Sequence, residues 1–404
     1  MTVLAFDRRL IAPMILGAVL NPVNSSMIAV ALIPIGVAFG APPAETAWLV
    51  SSLYVATAIG QPVVGRLVDM YGPRRLYLAG SALLGVAGIL GALAPSLGVL
   101  IGARALLGLG TCAGYPAAMF LIRQESHRTG RDSPSGVLTA LAVSTQTVAV
   151  VGPTLGGLLI GLGGWRTIFV VNVPLAVACL VLGALRLPTQ PTRKGSLAVR
   201  DLIDLGVLVG NRPLVATYAR NLLTFVVSYT FLYGYTQWLE EGHGLTAAQA
   251  GAALLPMFLT AIVVSGITGR HKGVRGKLIV GGVGQILGCA LLLTVHADSG
   301  IWLLVLIGVI VGVPQGLNSL ANQNALYYQA DPARMGASAG LLRTSTYLGA
   351  MVAAAANGAF LSRSASTSGL HDLALFVLVV AALFLVVTVF DRSLRWSRLS
   401  HSPA

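Results

Sequence analysis

The sequence predicts an all-α membrane protein with twelve transmembrane helices in two pseudo-symmetric six-helix bundles. Three observations predict this class: the composition, the number of long apolar segments, and a repeat across a central linker. Of 404 residues, 55% are hydrophobic and 10% are charged, and the mean hydropathy is +0.82. Soluble domains carry roughly 25% charged residues. A water-soluble fold of this length could not bury so much apolar surface.

Twelve apolar segments are numbered here as spans one to twelve in chain order. Each is near or above the roughly 20 residues that cross a bilayer core, and the ninth and twelfth are the shortest. They lie near 10–38, 46–68, 76–94, 98–122, 136–162, 167–188, 213–237, 246–269, 278–295, 300–326, 336–361 and 373–390.

The longest polar stretch, Pro188 to Asn211, divides these spans into six plus six. Its second part, 196–209, alternates Leu and Val with charged residues, which predicts a short amphipathic helix on the membrane face. The predicted parts are an N-terminal bundle, a cytoplasmic linker, a C-terminal bundle and a cytoplasmic tail. Their bounds are 1–187, 188–212, 213–391 and 392–404.

The net charge of +13 is explained by membrane topology. With the N-terminus inside, the basic residues concentrate in cytoplasmic loops and ends, and only Arg166 and Arg363 fall outside. This asymmetry is the positive-inside rule. It predicts two cytoplasmic termini and a lipid bilayer as partner, and it argues against nucleic acid. The three cysteines are scattered over the spans and match no metal pattern, so no metal site is expected.

Between spans two and three, residues 65–75 read GRLVDMYGPRR, here called the latch loop. Gly65 and Gly72 allow a sharp turn and close helix contact. Asp69 can accept hydrogen bonds from the positive N-terminus of a neighbouring helix. Arg74 and Arg75 are expected to hold the loop at the cytoplasmic surface.

This string resembles the loop between the second and third spans of the major facilitator superfamily and departs from it at Pro73. The resemblance implies a conformational latch that closes the cytoplasmic ends of the two halves and breaks when a transporter opens inward. An ordinary cytoplasmic loop that obeys the charge rule is the alternative.

A second copy of the glycine pattern occurs 201 residues later, at Gly266, Gly273 and Arg275. Arg270 stands in this copy where Asp69 stands in the first. Parallel six-span repeats with a binding site between them at mid-depth are known in transporters. Chance is the alternative, because the chain has 48 glycines.

Span five contains Gly152, Pro153, Gly156 and Gly157. The pattern resembles a motif of the drug:proton antiporter branch, of the multidrug and tetracycline-export type, although Val148 replaces a glycine of that motif. Proline removes a backbone donor and kinks a helix, and the glycines permit tight packing.

Span one carries Asn21 and Asn24 where antiporters of this branch usually carry an acid. No Asp, Glu or His lies at the centre of any span. Proton coupling requires a group that titrates, so Glu240 and Glu241, at the outer end of span seven, are the candidates for coupling. Arg104 in span four resembles the superfamily's intramembrane arginine, and a structural arginine bonded to backbone carbonyls is the alternative.

Arg220 and Arg343 lie roughly 10 Å from the cytoplasmic ends of spans seven and eleven. They are expected to face a cavity that favours an anionic or hydrogen-bonding substrate, since no acid at that depth neutralises them. Snorkelling to the interface is the alternative. The other predicted cavity residues are polar: Asn21, Asn24, Arg104, Tyr218, Tyr229, Tyr233, Gln315, Asn318, Asn322 and Tyr347.

The sequence therefore predicts a secondary active exporter of a small organic compound, working by alternating access as a monomer in the inner membrane. An organic-anion exchanger or importer using the two arginines is the alternative, and a non-transporting membrane sensor or scaffold is a third class. No nucleotide-binding loop of GxxxxGK[ST] form is present. We expect no enzyme activity and no cofactor.

Overall fold

The structure is a computed structural model that describes residues 6–130, 135–190, 205–269, 271, 273–361 and 366–396. Over these ranges the chain is helical, with no β-strand. Each of the twelve predicted spans coincides with helix. Most of the predicted linker helix, 196–209, lies outside the described residues, as do Arg270 and Arg363.

Contacts divide the chain into two compact units. The first comprises Met1–Val209 and Ala330–Thr344, and the second comprises Gly210–Gln329 and Ser345–Ala404. Span eleven is divided, because its first turns pack with the first unit.

The first unit contains spans one to six. Span one continues through a 3₁₀ turn at Ile28–Ala31, and span four is interrupted at residues 112–113. The main helices of the first unit are Ile11–Met27, Leu32–Phe39, Trp48–Tyr71, Pro73–Ala92, Leu97–Thr111, Gly114–Thr129, Ser135–Gly163 and Asn172–Arg186, with short helices at Pro43–Thr46 and Thr167–Val170.

The second unit contains spans seven to ten, twelve, and the rest of span eleven. Span seven changes from α-helix to π-helix at Thr230–Tyr235 and again at Trp238–Gly242. The other helices are Arg212–Tyr229, Ala247–Thr268, Val274–Leu292, Ile301–Gln329, Met335–Leu361, Thr367–Phe390 and Ser393–Trp396.

Among the described residues, nine helical stretches are long and apolar enough to cross a membrane. Span five adds a tenth if its two parts, bent by 43° around residue 149, are one span. The bend lies four residues before Pro153, where the proline ring clashes with the helix carbonyl. Spans seven and eleven are helical but more polar, and these are the two that contain Arg220 and Arg343.

Candidate functional site

The carboxylate of Asp69 caps the start of span eleven. It accepts the Gly336 backbone N–H at 2.7 Å and the Ala337 N–H at 2.8 Å, one on each oxygen. The first N–H groups of a helix have no partner inside the helix and lie at its positive end. The Asp69 carboxylate supplies acceptors for these N–H groups and a negative charge at the positive end of the helix. The donors belong to residues that group with the first unit.

Two glycine contacts bring span two and the start of span eleven together at backbone distance. A Cβ atom on Gly65 would lie 2.3 Å from the carbonyl oxygen of Gly336. One turn later, a Cβ on Gly340 would lie 2.3 Å from the carbonyl oxygen of Gln61. Neither position has room for a side chain, so close approach explains Gly65.

The rest of the latch loop turns the chain from span two into span three. Gly72 has φ +88°, a conformation that favours glycine. Pro73 takes the first position of the next helix, where its missing N–H is harmless. Arg74 binds the end of span six, donating to the Ala184 carbonyl at 2.9 Å and to the Thr189 hydroxyl. Arg75 is exposed.

The two span-one amides lie within the helix packing of the first unit. Asn21 donates to the Thr111 hydroxyl at 3.0 Å, and Asn24 donates to the Asn172 amide oxygen at 2.7 Å. Both side chains are buried. The amides thus link span one to spans four and six, and their predicted place in a substrate cavity stays a prediction.

Arg104 is buried and bonds to backbone carbonyls. This is the arrangement of a structural arginine, which the sequence analysis gave as the alternative for this residue. Its Nε donates to the Leu49 oxygen at 2.9 Å, and its Nη1 donates to the Asn24 oxygen at 3.1 Å. The Arg104 side chain therefore links span four to spans one and two through their backbone carbonyls, within the first unit.

Span five packs its motif against span one. A Cβ on Gly152 would lie 1.7 Å from the Ser26 hydroxyl oxygen, and one on Gly156 would lie 2.9 Å from the Met27 carbonyl oxygen. Gly157 has open space around the same position. Two of the three glycines are therefore required by packing.

Arg220 is neutralised by an acid, so the expectation that no acid at that depth pairs with it is wrong. Its Nη1 lies 2.5 Å from the Asp391 carboxylate oxygen, and its Nη2 donates to the Thr217 hydroxyl at 2.6 Å. Arg220 is fully buried, so it does not snorkel. Asp391 also accepts from the Ser393 backbone N–H at 3.0 Å. Span seven is thereby joined to the end of span twelve.

Arg343 lies against an aromatic ring. Its guanidinium carbon is 3.9 Å from the centroid of the Tyr115 ring, which is cation–π distance. The next residue, Thr344, donates to the Ala58 carbonyl at 3.1 Å. The first turns of span eleven thus contact spans two and four through side chains as well as through Asp69.

The remaining predicted cavity residues lie on spans seven, ten and eleven, and they differ in exposure. Tyr218, Asn318, Asn322 and Tyr347 are buried, whereas Tyr229, Tyr233 and Gln315 are half-buried. The Gln315 amide oxygen accepts from the Ser228 hydroxyl. Tyr229 and Tyr233 stack, with ring centroids 5.7 Å apart.

Glu240 and Glu241 are exposed at the end of the second π-helical segment of span seven. Both carboxylate oxygens of Glu241 lie 3.4 Å from the Gln237 amide nitrogen. Their role in coupling stays a prediction. No group of three or more His, Cys, Asp or Glu in the described part of the chain is arranged to hold a metal ion.

Sequence reasoning missed Asp391, Tyr115 and Phe225, whose ring centroid lies 6.0 Å from that of Tyr229 on span seven. Asp391 was treated as the end of a span, although a buried arginine in a neighbouring bundle helix requires a counter-charge. Tyr115 and Phe225 have no signal of their own in the sequence, because an aromatic residue in an apolar helix is ordinary core.

The family model of the Major Facilitator Superfamily matches residues 14–354. The chain belongs to this superfamily. The family predicted from the latch loop and the span-five motif is confirmed, and so is the all-α membrane fold.

Two curated relatives and one solved structure show what the chain is similar to. An uncharacterized MFS-type transporter, YwoD, of Bacillus subtilis (strain 168) is 26% identical over 430 residues, covering 92% of this chain and 94% of the relative. The tetracenomycin C resistance and export protein of Streptomyces glaucescens is 24% identical over 402 residues, covering 86% and 74%. The human organic anion transporter MFSD10 (TETRAN) shares the fold with a TM-score of 0.75 at 17% identity, covering 94% and 100%.

Proposed function

We propose that this multi-pass membrane protein is a secondary active exporter of a small organic compound and works by alternating access. Membership of the superfamily supports transport, and the similarity to a resistance and export protein over 86% of the chain supports export. The proposal includes the inner membrane, cytoplasmic termini and a monomer as the working form.

The observation that carries the mechanism is the contact between Asp69 and the start of span eleven. Two hydrogen bonds from backbone N–H groups hold a buried carboxylate. When the Asp69 carboxylate and the two N–H groups separate at the aqueous surface, water replaces the hydrogen-bond partner that each has lost. The contact can therefore open without leaving the carboxylate in an apolar environment. Breaking the two hydrogen bonds would release the first turns of span eleven from the end of span two. We propose that Asp69 acts as the latch in this step.

The organic-anion alternative loses its main support. It required two unpaired arginines, but Arg220 is paired with Asp391, and Arg343 lies on the Tyr115 ring. The similarity to a human organic anion transporter, at 17% identity, concerns the fold alone.

The test is flux in proteoliposomes, preceded by a thermal-shift panel of lipophilic cations, neutral aromatic compounds and organic anions on the purified protein. Export of a small organic compound predicts saturable flux of at least one stabilising compound. Flux confined to organic anions and lost in Arg343→Gln would restore the alternative. Absence of flux for every stabilising compound would contradict the proposal.

A further inference from the structure

Span seven carries three aromatic rings in a row along one face. The ring centroids of Phe225 and Tyr229 are 6.0 Å apart, and those of Tyr229 and Tyr233 are 5.7 Å apart with 23° between the ring planes. Their spacing of four residues places them on one side of the helix. All three residues are half-buried. These rings are called the aromatic strip below.

The face that bears the aromatic strip differs from the lipid-facing surfaces of the molecule. Span twelve exposes large aliphatic side chains along its length, among them Leu375, Val379 and Leu383. Between 216 and 242, all of which the structure describes, span seven exposes no large hydrophobic side chain. Its half-buried positions beyond the strip include Thr236 and Gln237. The Thr236 hydroxyl donates to the Leu232 carbonyl of the same span, and the Gln237 amide contacts Glu241.

The backbone is irregular where the strip ends. Tyr233 lies within the π-helical segment Thr230–Tyr235, and segments of this type occur frequently at functional sites. A Cβ on Gly234, the next residue, would lie 2.5 Å from the Asn357 amide oxygen. Span eleven therefore supports the irregular segment from behind and fixes the position of the last ring.

The surroundings of the strip carry no uncompensated charge from span seven. Arg220, the one charged residue between 216 and 239, is held by Asp391 at 2.5 Å. Beside Tyr229, the Ser228 hydroxyl and the Gln315 amide form a hydrogen-bonded pair. The ring surfaces of the strip match an uncharged molecule, and the Gln315 amide is a hydrogen-bonding group one helix away from Ser228.

The geometry points to the aromatic strip as a binding site for the flat conjugated ring system of an uncharged substrate. This inference rests on the proposed export function and names the class of compound that is carried. A flat ring stacks on the two tyrosines of the strip, and the Ser228–Gln315 pair orients its polar edge. A saturated ring of the same size has no π face. Its binding at the strip therefore depends on buried contact area alone, without stacking.

The test compares two neutral three-ring alcohols, anthracenemethanol and its fully saturated analogue, in equilibrium binding to the purified full-length protein. Tyr229→Leu and Tyr233→Leu should each weaken anthracenemethanol binding about two- to tenfold, the range that aromatic stacking supplies, and leave binding of the analogue unchanged. Tyr229→Phe and Tyr233→Phe keep the ring and should retain wild-type affinity. Tyr328→Leu, at an exposed tyrosine of span ten, is the matched control and should have no effect.

Equal wild-type affinity for both alcohols, no binding of either, or full anthracenemethanol binding by both leucine variants would overturn the inference. The export proposal fails separately. If ring-dependent binding is found and no stabilising compound of the panel is transported, the strip stands as a binding site and the transport function is wrong.

Discussion

Each unit contains an aspartate near the end of a span whose side chain is largely withdrawn from solvent, and the two make different contacts. Asp69 in the first unit accepts two backbone N–H groups at the start of span eleven. Asp391 in the second unit neutralises the fully buried Arg220. Separating the second pair leaves two charges in a low-dielectric environment, whereas the groups that Asp69 releases at span eleven are neutral N–H donors. On the proposed mechanism we therefore expect the Asp69 contact to open and the Arg220–Asp391 pair to stay closed.

The two copies of the glycine pattern also differ in the contacts that they make. Gly65 and Gly72 are required by a close backbone contact and by a positive φ. Gly266 and Gly273 have open space where a Cβ would lie, and Gly273 has an ordinary φ of −66°. A repeated set of residues therefore does not repeat the contact, because the contact also requires a partner helix at backbone distance.

The largest effect is expected from Asp391→Asn. Removing one partner of a buried ion pair leaves Arg220 uncompensated, and the free energy of unfolding should fall by about 3–5 kcal/mol. Denaturation of the purified protein in detergent measures it. Arg220→Met combined with Asp391→Asn removes both charges and should recover most of the loss. A loss below about 1 kcal/mol in the single variant would show that the pair is solvated and not permanent.

Asp69→Asn should reduce flux at least tenfold while the protein still folds and inserts. The amide keeps one acceptor and loses the charge that binds the second N–H, so the expected stability loss is about 1.5–3 kcal/mol. Asp331→Asn is the matched control, since Asp331 caps the 3₁₀ turn just before the same helix and accepts the Ala333 N–H at 2.9 Å. Asn caps as well as Asp, so its flux should stay normal. Normal flux in Asp69→Asn would remove the latch.

The glycine copies are compared by Gly65→Ala and Gly266→Ala. A methyl group on Gly65 meets a backbone carbonyl that cannot move alone, and a stability loss of about 1–3 kcal/mol is expected. Gly266 has open space, and Ala gains up to about 1 kcal/mol over Gly within a helix. Thermal denaturation of the two variants side by side gives the comparison. Equal losses would mean that both copies form close contacts.

Much of this arrangement could be predicted from the sequence. The apolar segments predicted the helices, and the acid in the latch loop predicted a contact with a helix N-terminus. The sequence could not identify the donor helix, because the Gly336 N–H lies 267 residues along the chain. It also could not pair Arg220 with Asp391, since depth counted along two separate helices does not show which side chains meet. The aromatic strip depends on which face of span seven is accessible, and that is a property of packing.

The smallest effect is expected at Glu240 and Glu241. Both are exposed, so Glu240→Gln and Glu241→Gln should change stability by less than about 0.5 kcal/mol. Transport is expected to be only weakly driven by an imposed pH gradient, and any such drive should be lost in these variants. Gradient-driven uptake in proteoliposomes between about pH 5.5 and 8 measures it, over the range where coupling groups titrate. Strong drive that survives both substitutions would require another titrating site.

The most direct test of the latch is the distance between the start of span eleven and the end of span six during transport. Arg186 is exposed, 42% of the Arg334 side chain is accessible, and the three native cysteines are buried, so Arg186→Cys with Arg334→Cys can be spin-labelled selectively. Double electron–electron resonance then measures the distance between the two spin labels. It is recorded for this labelled protein, with and without a transported compound, and for the same protein carrying Asp69→Asn. The account predicts one short distance at rest, a second and longer population with the compound, and a shift toward the longer population in Asp69→Asn. A single unchanged distance in all three samples, with flux intact, would contradict it.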